Sequence, residues 1–130
     1  MQTLLVSLGL ALLLAAAPAR SEEGPDILQT FDAFVLSSAA ANKCGRPDEA
    51  TLKKFLANFE RVWMRTAEAL EEHYPDRTKD QIGQAMKAKA DHLSNKVFAV
   101  VAADGCEDTK IRDLLERFKM YVLWEPGKDF

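Results

Sequence analysis

Cys44 and Cys106 are the only two cysteines in the chain. Two thiols can join as a disulfide, stay reduced, or ligate a metal ion. The metal reading lacks a ligand set, because no CxxC spacing occurs and no histidine pair lies nearby. His73 and His92 are the only histidines. Ser94 stands two residues from His92 on a different helical face, so the two cannot form a nucleophile–base contact within one helix. No GxSxG element, no CxxCH haem attachment site and no repeated Glu-x-x-His motif occurs in the sequence. His73 with Glu72 and Asp76 is at most a solvated surface cluster, since Glu72 and His73 diverge on the helical wheel. Lys89 lies between Met86 and Leu93, close to an apolar stripe. A desolvated lysine can act as a base, but a stem laid on the core with its ammonium in water is the ordinary arrangement. No catalytic residue, no metal site and no cofactor is therefore expected, and the cysteines are read as a disulfide.

That reading depends on compartment. Leu4 to Leu14 is an apolar run, small residues follow it, and Ala17-Pro18-Ala19 has the A-x-A shape that signal peptidase accepts. Residues 1–19 are read as a signal peptide with cleavage after Ala19, although the segment before the apolar run carries no Lys or Arg. The run is too short to span a bilayer, which takes about 20 residues. An exported chain reaches an oxidising compartment, periplasmic or secreted, where paired cysteines bridge. Residues 20–130 make one domain. The net charge of −3 is well mixed along the chain; without a Lys/Arg-rich face, nucleic acid is not an expected partner. No second apolar run is long enough to cross a membrane after cleavage.

Four helices must position whatever this domain presents, over residues 26–43, 47–74, 79–104 and 108–124. In the first, Ile27, Leu28, Phe31, Phe34 and Val35 share a face. Pro25 suits its opening turn, small residues Ser37 to Ala41 follow, and Cys44-Gly45 closes it, with glycine taking the left-handed exit. In the second, Pro47 lies inside the first turn. Leu52, Phe55, Leu56, Phe59, Val62, Trp63, Thr66 and Leu70 form the stripe, with Asn58 on the polar side. The third opens on a Thr78–Gln81 capping box and carries Ile82, Met86, Leu93, Val97 and Val100. The fourth presents Ile111, Leu114, Leu115, Phe118 and Val122, and Pro126-Gly127 ends it.

Short connections predict an all-α, up-down-up-down four-helix bundle. In that topology the turns holding Cys44 and Cys106 share one end, so a disulfide is geometrically natural. Closing a loop of roughly 60 residues is worth about 4 kcal/mol in the chain-entropy model. Phe59, Trp63 and Phe118 are expected among the most buried side chains.

Helix four carries more apolar surface than one face requires, because Met120-Tyr121-Val122-Leu123-Trp124 covers its whole circumference. Phe98 and Met64 also point away from their own helices' stripes. Met120, Leu123, Trp124 and Phe98 are the expected partner surface. In size, helicity and single bridge the chain resembles small exported helical proteins, among them acid-stress chaperones and inhibitors that protect cells from toxic enzymes. That likeness carries no residues across. The expected function is a non-enzymatic exported protein that binds a protein partner of inhibitor, immunity or accessory type. An acid- or stress-responsive chaperone and a small-ligand or cofactor carrier are the alternatives.

Overall fold

A computed structural model of the chain describes residues 26–125. The signal segment 1–19, Pro25 and the Pro126-Gly127 stop lie outside them. The helices are α1 (Ile27–Ala40), α2 (Glu49–His73), α3 (Lys79–Asp104) and α4 (Thr109–Leu123), with a π-helical turn at Ala41–Gly45 continuing α1.

Each helix begins where a side chain accepts its free N–H groups. Asp26 accepts from Leu28 N at 3.0 Å, and Asp48 accepts from Thr51 N at 2.7 Å. Asp108 accepts from Lys110 N and Ile111 N. Thr78 and Gln81 form the capping box, Gln81 N donating to Thr78 Oγ1 and Thr78 N to Gln81 Oε1. Asp48 is thus the cap of α2, and Pro47 precedes the helix instead of lying in its first turn.

The exit from α1 differs from expectation. The π turn admits one extra residue, with Arg46 N donating to Ala41 O at 3.1 Å. This moves the left-handed position to Arg46, at φ 41°. Gly45 answers a different need: a Cβ there would lie 3.2 Å from Leu115 Cδ2, so glycine lets α4 approach. At the other turn, Gly105 takes φ 78° and closes α3.

The helices pack as a four-helix bundle in which α1 lies against each of the other three, while α3 and α4 barely meet beyond their shared turn. Ring contacts give the directions. Phe34 meets Phe55 and Phe59, whereas Phe31 meets Phe59 and Trp63, so α1 and α2 are antiparallel. Phe55 stacks on Phe118, and Asn58 reaches Tyr121, so α2 and α4 run the same way. Cys44 and Cys106 are bonded across 62 residues with their Cα atoms 5.6 Å apart. The turns that carry them therefore share one end, as the alternating topology requires.

Two apolar clusters fill the bundle. The larger is built on Phe31, Phe34, Phe55, Val62, Ile82, Met86, Phe118 and Tyr121. The smaller joins Ala39 and Ala40 to Val97 and Ile111 near the disulfide, so the small residues ending α1 seat neighbouring helices closely. Buried hydroxyls are satisfied within their own helices: Ser37 donates to Phe34 O and Thr66 to Val62 O.

The buried stripe of α2 is rotated from the expected one. Phe55, Asn58, Val62 and Thr66 are buried, Phe59 and Trp63 are half-buried, and Leu52 and Leu56 are 39% and 48% exposed. The cause is Asn58. Helix α4 ends against α2, and Asn58 Nδ2 donates to Tyr121 O at 2.8 Å and Trp124 O at 3.0 Å, the first of which also accepts from Trp124 N at 3.4 Å. An asparagine assigned to the polar side is a buried C-terminal cap for another helix.

Candidate functional site

Residues with chemistry-bearing side chains do not converge. His73 is exposed at the end of α2, its ring 4.7 Å from that of Tyr74. His92 is exposed midway along α3, and Ser94 is half-buried there. Lys89 is not a desolvated amine. Its side chain is 47% exposed, and its ammonium lies 3.1 Å from Oδ1 of Asp32 on α1. That oxygen is buried and has no aligned hydrogen-bond donor, so the lysine neutralises it by proximity. Among the described residues no group of three or more His, Cys, Asp or Glu side chains is placed to hold a metal ion. None of their helices is long and apolar enough to cross a membrane.

The apolar run at the end of α4 divides by direction. Tyr121 is buried and stacks on Phe34 with ring centroids 4.1 Å apart. Trp124 is half-buried, edge-on to Phe34 at 6.4 Å, and its carbonyl is held by Asn58. Met120 and Leu123 point outward, 58% and 75% exposed. They stand three residues apart, hence side by side on the last turn. Phe98, on α3, is half-buried near the other end and packs beside Val97 and Ile111. The Lys43 ammonium sits 4.9 Å from its ring centre. Of the four expected surface residues, the structure brings Met120 and Leu123 together in solvent, turns Trp124 inward behind them, and sets Phe98 apart.

Met120 also lines a shallow groove of about 540 Å³ between α1 and α4, with Gln29, Thr30, Ala33, Glu116 and Tyr121. Charged side chains along this stretch of α4 pair with one another. Arg117 Nε is 3.3 Å from Asp113 Oδ2, and Lys119 Nζ is 3.1 Å from Glu116 Oε1. An apolar centre within a polar rim is the usual anatomy of an interface.

The fold and this surface define a small, disulfide-clamped, all-α bundle. No family model matches the chain, and neither a curated protein nor a solved structure matches it.

Proposed function

We propose that this is an exported, non-enzymatic binding protein that engages a protein partner through the last turn of α4. One observation carries the reading: Met120 and Leu123 are adjacent and the most exposed large apolar side chains in the described residues. Trp124 and Tyr121 hold that turn on the core from behind, so the surface is presented rigidly and binding orders little additional chain. The disulfide accords with an oxidising compartment, and cleavage after Ala19 makes Arg20 the first residue of the exported form. The test is capture from the native exported fraction with wild-type protein and with a Met120→Asp/Leu123→Asp variant. A partner that the wild type retains and the variant loses, at unchanged thermal stability, is the expected result. Equal recovery by both proteins contradicts the surface.

A second reading, an acid-responsive chaperone, draws support from the caps. Carboxylates of Asp26, Asp48 and Asp108 start three of the four helices. A neutral carboxyl accepts more weakly than a carboxylate, and in acid the Lys and Arg charges persist and repel. This reading expects ANS binding and suppression of client aggregation in acid. A monomer that stays compact there, with no ANS signal, removes it.

A further inference from the structure

The outer face of α2 carries apolar side chains that the α4 surface does not use. Leu52, Leu56 and Met64 are 39%, 48% and 56% exposed, and Phe59 and Trp63 beside them are only half-buried. At helical spacing, Lys53, Leu56, Ala57, Glu60 and Met64 fall within an arc of about 100°, and all five are exposed. Lys53 already touches Glu49 of its own helix at 3.2 Å.

We propose that two copies of this chain associate through antiparallel α2 helices. The charges select both the partner and the register. With the two-fold axis between Leu56 and Ala57, Lys53 faces Glu60 of the partner subunit, and Glu60 faces the partner's Lys53. Leu56 lies over the partner's Ala57, a small residue that permits close approach. Each Lys53 is then flanked by its own Glu49 and the partner's Glu60. A parallel pairing in register sets lysine against lysine and glutamate against glutamate. Moving the axis to residue 60 sets the two Glu60 side chains against each other. Both members of the favourable pair lie on one helix face, as an isologous contact requires. A second copy supplies that complement without any further protein.

The measurement is the concentration dependence of mass by sedimentation equilibrium on the purified protein, up to about 100 μM. Wild type dimerises. Leu56→Glu, Lys53→Glu and Glu60→Lys each weaken the dimer at least about tenfold, since like charges then face across the interface or a carboxylate enters its apolar centre. The Lys53→Glu/Glu60→Lys double variant restores the dimer. Leu123→Asp leaves the dimer unchanged, which separates this surface from the one on α4. All these side chains are exposed in a single copy, so unchanged melting of the variants at low concentration verifies that folding is intact. Wild type that remains monomeric throughout, a dimer indifferent to Leu56→Glu, or a charge swap that fails to rescue overturns the proposal.

Discussion

Asn58 shows how one side chain sets the seating of a helix. Its two hydrogen bonds go to carbonyls at the end of α4, and a side chain that cannot donate them loses both links between the helices. Asn58→Leu should destabilise the protein by about 1–3 kcal/mol. Chemical denaturation measures it, and a cost near zero shows that water replaces the amide. Asp48 gives a pH dependence of known sign. The Thr51 backbone N–H, and then the Thr51 side chain, hold its carboxyl below the ordinary value of 3.8. A lowered folded pKa contributes stability that is present above 3.8 and lost as the pH falls through the folded value. Asp48→Asn should therefore flatten the acid limb of stability, measured by melting across an acid series; an unchanged limb contradicts the role of the cap. Neither residue's partner was fully legible beforehand. Asp48 is an acid at the start of a helix, whereas Asn58 is polar and the helical wheel gives no means of seeing a carbonyl from another helix.

At the scale of elements, the starts of the helices and the stop of α3 are legible because caps act locally. Thr78 and Gln81 need only each other, and Gly105 needs only its own φ. The rotation of α2 is not local. Its sequence carries two overlapping apolar stripes, and docking against α1 and α4 decides which one is buried. Phe55 is fully buried and Phe118 nearly so, at 0% and 5% exposed. Replacing either by alanine should cost about 3–5 kcal/mol. Half-buried Phe59 should cost less than Phe55, and the reverse order in denaturation experiments refutes the observed rotation. The run from Met120 to Trp124 was legible as a surplus of apolar surface. Its division into an outward pair and an inward pair depends on where Phe34 and Asn58 stand. The π turn left no mark in the sequence, since Gly45 there reads as an ordinary helix stop.

For the whole molecule, alternating helix directions and the bridge support one another. Cys44 and Cys106 were legible as partners because up-down-up-down topology puts their turns at one end, and short loops make that topology the simplest. What the pattern did not show is that α1 and α2 each touch all three other helices while α3 and α4 make little contact with each other. The bridge adds a covalent tie between their turn and the end of α1, beside the cluster of Ala39, Ala40, Val97 and Ile111. The most direct test of this arrangement is peptide mapping without reductant, followed by melting of the Cys44→Ser/Cys106→Ser variant. The bridged peptide pair should be recovered, and the variant should melt about 15 °C lower with its helical signal retained in the cold. Two free thiols in the oxidised protein, or a variant that melts with the wild type, contradicts the account.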